Sequence, residues 1–221
     1  MNKAYAVHLI GSLRAELEKT RKTDPATIAA QIGAIGFACN RCGKCCRGSC
    51  GDNRVLLNSE DLSALETHSL RRDFVVPMCS ASAGEALPDL FDTEGNLHTF
   101  GWMLRRRDNG DCALLGENNK CDIYAFRPAL CSTYPFFLHG GRLEISECEG
   151  IGAPVDSETA GMLARAVIRR KTVELQDTIR TYEAFCAAGL SLEVRKESLP
   201  EGVSIVVHDT DGVSYFGSYR S

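Results

Sequence analysis

The sequence predicts an α+β chain: an irregular cysteine-rich core with short antiparallel hairpins, flanked by N-terminal helices and a long C-terminal helix. Three observations predict it. Apolar residues recur at helical spacing near both ends, at Val7, Ile10, Leu13 and Leu17, and again at Ile168, Leu175, Ile179, Tyr182 and Cys186. Most of the eleven cysteines fall between those stretches, among polar and turn-forming residues. Gly140-Gly141 separates two short apolar runs, as a two-residue hairpin turn requires. With 221 residues and 44% hydrophobic content, the chain is long enough for one globular domain with its own core, or a core domain with a helical appendage.

Each element follows from local chemistry. Lys3 to Lys19 reads as a helix, and Asp24-Pro25 opens a second, giving a helical arm over 1–36. Asn58 or Ser59 caps a short helix through about Leu70, with Glu60 and Asp61 in its first turn, where the helix dipole favours acids. Pro77 to Gly95 lacks periodicity and reads as an irregular crossing loop between two cysteine groups. Trp102 to Cys148 is turn-rich and strand-like in pieces, with Asp108-Asn109-Gly110 and Glu117-Asn118-Asn119 as punctuation. Its clearest element is a hairpin, Phe136 to Leu138 returning through Leu143 and Ile145, which leaves Cys148 just after a strand. Asp156 or Ser157 caps the long helix, near residues 156 to 188. A second hairpin runs from Val203 to Val207, turns at Asp209 to Gly212 and returns over Val213 to Tyr219. The chain thus divides into the arm 1–36, a cysteine-cluster metal-binding domain 37–152, and a segment 153–221 of long helix and hairpin packing on it. No repeat or low-complexity segment interrupts it.

Cys39, Cys42, Cys45 and Cys46 form a C-x2-C-x2-C-C run, and Cys112, Cys121, Cys131 and Cys148 follow. Thiolate is a soft donor that selects zinc, copper(I) or iron-sulfur clusters, and cysteines two residues apart can converge from a tight turn. Cysteines placed for core filling would instead stand singly on apolar faces, and Asn40, Arg41, Gly43 and Lys44 are not apolar. Disulfides need an oxidising compartment, whereas Met1 to Leu13 shows neither a long apolar core nor a small-residue cleavage site, so a cytoplasmic location is expected. In that compartment, eleven cysteines read as metal ligands. Cys186 lies on the apolar stripe of the long helix and reads as a buried thiol. No apolar run approaches the roughly 20 residues that span a bilayer. A net charge of -4 gives no broad footprint for nucleic acid. The basic run Arg105 to Arg107 reads as a solvated face.

The densest constellation runs from Cys121 through Tyr124, Arg127-Pro128, Cys131 and Tyr134-Pro135-Phe136. With the four-cysteine run, Cys112, and Cys148 followed by Gly150, it resembles the C-x2-C-x2-C-C, or YkgJ-like, family of zinc- or iron-chelating domains over about Phe37 to Gly152. The resemblance implies that Cys39, Cys42, Cys45, Cys46, Cys112, Cys121, Cys131 and Cys148 are the chelating set, and it leaves zinc and iron open. The cysteine region is also similar to flagellin lysine N-methylases, which are longer; this implies one enzymatic precedent, protein methyltransfer, without carrying over its residues. Cys50 and Cys79 lie outside the family pattern and are optional ligands.

Zinc and an iron-sulfur cluster make different use of the same sulfurs. Eight thiolates could close two four-thiolate zinc sites, or four could hold a 4Fe-4S cluster and leave the rest for a second site or a dithiol. Cys39, Cys42 and Cys45 match the first three positions of bacterial ferredoxin spacing, but the fourth falls on Ser49, which speaks against a ferredoxin fold. Adjacent Cys45 and Cys46 point in different directions and could feed neighbouring sites. Ligand softness favours iron-sulfur. Tyr124, Arg127 and Tyr134 are candidates to stabilise sulfur charge, unless Arg127 pairs with a carboxylate. His139, beside a hairpin turn, reads as exposed. The expected function is an iron-sulfur protein in electron transfer or protein modification, with a protein substrate or redox partner. Zinc-bound scaffolding and metal delivery are the alternatives.

Overall fold

The structure, a computed structural model, describes residues 3–78, 89–190, 192–195 and 203–218. Its helices are α1 (Lys3–Arg21), α2 (Pro25–Ile35), α3 (Ser59–Thr67), α4 (Arg71–Phe74), α5 (Ala129–Thr133) and α6 (Ser157–Ala187). Its strands are β1 (Leu56–Leu57), β2 (Val75–Pro77), β3 (Asp89–Phe91), β4 (Leu97–Phe100), β5 (Trp102–Leu104), β6 (Phe136–His139), β7 (Arg142–Ile145), β8 (Glu193–Arg195), β9 (Ser204–Asp209) and β10 (Gly212–Ser218). Helices at the ends and small sheets around a cysteine-rich region make the α+β fold expected from the sequence.

The caps form where short polar side chains precede apolar stripes. Asp24 accepts from Ala26 N and Thr27 N at 3.1 Å each, with Pro25 as the first residue of α2. Asn58 and Asp61 form a reciprocal capping box on α3. Asp156, rather than Ser157, caps α6 through Thr159 N at 2.7 Å. The first stripe differs by one position from the sequence reading. Ala6, Ile10 and Leu17 are buried, while Val7 stands 56% exposed, because α6 covers the face that begins at Ala6. α3 stops at Thr67 rather than Leu70, and Ser69 takes a positive φ of 58° that breaks the helix.

α6 is the backbone of the molecule. Its first half buries Ala160, Ala164 and Val167 against Ile28 and Ile32 of α2 and Phe136 of β6. Its second half sets Leu175 and Ile179 against Ile10 and Leu17 of α1, with Cys186 half-buried in that cluster. A third and largest core gathers Val55, Leu65, Phe91, Trp102, Leu104, Leu114 and Ile123 with Ile205 and Val207 of β9.

Three sheets form: β1-β5-β2, the hairpin β6-β7, and a five-stranded sheet in the order β10-β9-β4-β3-β8. The expected hairpins are β6-β7 and β9-β10. The second one does more than close on itself. β9 pairs in parallel with β4, from Leu97↔Ile205 to Phe100↔His208, and so carries the C-terminal strands into the largest core. The crossing loop expected over 77–95 contains β3 from Asp89, and residues 79–88 lie outside the described ones. Among the described residues, no helix is long and apolar enough to cross a membrane.

Candidate metal centre

Four stretches of chain wall one cavity of about 540 Å3, and Cys39, Cys42, Cys45, Cys46, Cys112, Cys121, Cys131 and Cys148 all line it. Cys50 lines it as well. Cys186 does not, and belongs to the α1-α6 core as its stripe position predicts. Cys79 lies outside the described residues. His139 is exposed at the end of β6, away from the cavity.

The first stretch winds through two 3-10 turns, Lys44–Cys46 and Gly48–Cys50, with Gly43 at a φ of 73° ahead of them. Gly43 also touches the loop that ends at Cys121: a Cβ there would lie 2.5 Å from the Asn119 carbonyl oxygen. That contact seats the run against the second stretch. Backbone bonds continue the seam, with Cys112 N donating to Cys46 O at 2.8 Å and Gly48 N to the Asp111 carboxylate at 2.9 Å. Buried Asn53 works as a strut, its Nδ2 donating to Cys46 O at 3.0 Å and Gly110 O at 2.8 Å. Its Oδ1 accepts from Arg106 at 3.2 Å, and Arg107 donates to Ala113 O and Leu115 O. Two of the three arginines expected on a solvated face therefore turn back to hold the Cys112 loop.

Cys131 rides on α5, whose start lacks a cap of its own. Asp61 supplies one from a distance, accepting from Ala129 N at 2.8 Å while still serving α3. Burial raises the Asp61 pKa, which these backbone hydrogen bonds oppose. Behind α5, buried Arg170 of α6 donates to Thr133 Oγ1 at 2.5 Å. The Cys148 loop is tied to the first stretch by Ala38 N to Gly150 O at 3.0 Å, and by the Lys44–Glu149 ion pair. A Cβ at Gly150 would collide with the Ala38 carbonyl. The Tyr134 hydroxyl donates to Glu147 O, so this tyrosine fixes the loop and spends its hydrogen on a carbonyl rather than on sulfur.

Tyr124 lies between two guanidinium groups, Arg41 at 4.2 Å and Arg127 at 3.9 Å from its ring centroid. Arg127 forms no carboxylate ion pair among the described residues; it donates to Tyr124 O at 3.4 Å, and its buried Nε has no hydrogen-bond partner. The carboxylate alternative for Arg127 is not what the fold builds. Its positive charge instead faces sulfur and lowers the pKa of Cys45 and Cys121 in part.

Electrostatics in the cavity set a demand for cations. Burial pushes Cys112, Cys121, Cys131 and Cys148 up, and neighbouring thiols push each further. Cys45 and Cys46, with sulfurs 4.0 Å apart, behave as a pair. The hydrogen bond between them pulls Cys45 down and Cys46 up. Buried thiols without a cation hold their protons, and a soft metal supplies the charge that lets them ionise. Donor type, shared cavity and the unpartnered Arg127 Nε fit a thiolate-held metal group. Among the described residues, no three His, Cys, Asp or Glu side chains converge tightly enough to enclose an ion as they stand, so these sulfurs line a wall rather than a closed cage.

A family model described as "Putative zinc- or iron-chelating domain" matches residues 38–151, over half of the 221 residues. The chain belongs to this CxxCxxCC family. Chelation of zinc or iron is the function class that membership supports. No curated protein and no solved structure matches the chain, so the likeness to flagellin lysine N-methylases gains no support. Every described cysteine within the matched segment lines the cavity.

What the sequence did not reveal is the scaffold around the sulfurs. Asn53 stands alone between an aspartate and an arginine with no periodic signal, and Asp61 reads as an ordinary helix-start acid. Their second partners are 57 and 68 residues away.

Proposed function

We propose that this chain is a cytoplasmic iron-sulfur protein whose 37–152 domain holds a cluster, 4Fe-4S in type, through four of the set Cys39, Cys42, Cys45, Cys46, Cys112, Cys121, Cys131 and Cys148, the others serving a second site or a dithiol. One observation carries the reading. These eight thiols and Cys50, from four stretches of chain, border a single cavity of about 540 Å3, which has room for a polynuclear group rather than one ion. Softness of the donor set agrees. When bound, such a group supplies one-electron transfer. The residues of this chain would seat it: Arg127 would offer Nε-H and positive charge to sulfur, Tyr124 and Arg41 would hold that guanidinium in place, and Asn53 would keep the Cys46 and Cys112 loops in register. The partner is a redox protein or a protein substrate undergoing modification. The acidic balance of the chain supports neither nucleic acid nor an anionic membrane surface as partner.

Protein purified without oxygen tests this directly. Brown protein containing iron and acid-labile sulfide, with a blue-violet absorption that bleaches on reduction, is the expected result. Colourless protein with zinc and no sulfide would replace the cluster with saturated four-thiolate sites.

A further inference from the structure

Two environments divide the wall of the cysteine cavity. Cys112 is part of the largest apolar core, and Cys46, Cys121 and Cys131 pack against that same core. Cys148 packs instead on the core between α2 and α6. Its loop is tied to the Cys39–Cys42 end of the first stretch, by Ala38 N to Gly150 O at 3.0 Å and Asn40 Nδ2 to the Glu149 carboxylate at 3.5 Å. Among the described residues, half-buried Cys42 joins none of the three cores, and Cys39 and Cys45 are exposed. Exposure grades from buried Cys112 through the half-buried thiols on both sides to exposed Cys39 and Cys45. Cys45 is the meeting point: its sulfur stands 4.0 Å from that of Cys46, and its neighbour Lys44 pairs with Glu149 beside Cys148.

We propose that the cavity holds two adjacent metal sites, an inner one walled by Cys46, Cys112, Cys121 and Cys131 and an outer one walled by Cys39, Cys42 and Cys148, with Cys45 the thiolate between them. The inference rests on the cysteines being ligands, as proposed above, and assigns which of them share a site. It holds for iron or zinc alike. Physical differences follow from the walls. The inner group has four thiols of its own and an apolar backing, so its metal is closed in and slow to leave. The outer group has three of its own and completes its set only with the shared Cys45, at a rim where Cys39 and Cys45 are exposed, so its metal is open to solvent and leaves faster. The inner site would serve the fold, and the outer one would meet partner or substrate.

Metal release from the full-length, metal-loaded protein into excess chelator decides the matter, with iron, zinc and sulfide counted before and after. Wild type should release metal in two phases. Cys39→Ser should lose the fast phase and keep the slow one, retaining roughly half of the metal centres. Cys45→Ser should alter both phases, and Cys121→Ser should remove the slow one. If Cys121→Ser does not fold, the Cys39→Ser comparison still decides. Release in one phase from wild type, or Cys39→Ser protein stripped of all metal, would overturn the division. Zinc in both phases without sulfide would end the iron-sulfur reading and leave the two sites standing. Wild type that binds neither metal would end both.

Discussion

Where a sulfur stands decides whether it serves as a ligand or as a small apolar group. Cys42 and Cys131 face a cavity that seven other thiols share, while Cys186 packs against the core that α1 and α6 build. Replacing either of the first with serine should remove metal, Cys42 from the outer site and Cys131 from the inner one, measured by elemental analysis of purified protein. Cys186→Ser should keep full metal content and cost roughly 1 kcal/mol in denaturant unfolding. Full metal in both cavity variants, or metal lost from the Cys186 variant, would mean the cavity is not the centre. The contrast was readable in the sequence because spacing differs: Cys186 repeats at helical intervals with apolar residues, and Cys42 sits between polar ones. The partner of Arg127 was not readable. A guanidinium pairs with whatever the fold sets beside it, and here that is a tyrosine face and thiols, with no carboxylate among the described residues.

At the scale of elements, close contact between loops replaces regular structure as the source of order. Gly43 combines a φ of 73° with an Asn119 oxygen 2.5 Å from where a Cβ would stand. Gly43→Ala should therefore cost about 1–3 kcal/mol and loosen metal retention, read as a lower unfolding midpoint and faster loss to chelator. Gly11 on α1 has nothing within 4 Å of its would-be Cβ, so Gly11→Ala should instead stabilise by about 0.5–1 kcal/mol. Equal effects at the two positions would show that the Gly43 contact carries no weight. Helix starts were legible at Asp24, Asn58 and Asp156 because a cap is a local signal. α5, only five residues long, was not, since its cap comes from Asp61 on another helix.

Across the whole molecule, the cavity and α6 should respond differently to loss of metal. The sulfurs line a wall around open space, whereas α6 is held by apolar contacts with α1 and α2. Hydrogen exchange after metal removal should rise together over 39–50 and 112–148, while much of α6 keeps its protection. Unchanged exchange in both cysteine segments would mark a preformed site that folding does not need. The sheet carries its own pH response. His98 Nδ1 and His208 Nε2 lie 2.8 Å apart, and His98 Nε2 is 3.1 Å from Asp92, so with Asp92 accepting, neutral His208 donates to His98. Burial first, then the His98 charge, lowers His208 to about 4 from 6.5, against the opposing pull of Asp209. A folded pKa below the unfolded one contributes stability above about pH 6.5 that is lost as pH falls toward about 4, up to about 3 kcal/mol. Matched pH titrations of stability should show that slope in wild type and not in His208→Gln. Parallel curves would remove His208 as its source.

Local and periodic information was enough to determine the helical ends and the two hairpins, because caps and stripes are written within a few residues of one another, whereas the set of eight cysteines was implied by the family resemblance. Tertiary structure alone decided that cysteines from distant loops line one cavity and what holds those loops. Cys46 and Cys112 are 66 positions apart in sequence, yet they join through one backbone hydrogen bond. β4 meets β9 in parallel across more than a hundred residues. Two acids and an asparagine that look ordinary in the chain become struts when distant loops close on them. Long-range contacts of this kind depend on the shape of the closed core rather than on any neighbouring residue, which is why no spacing in the chain announces them.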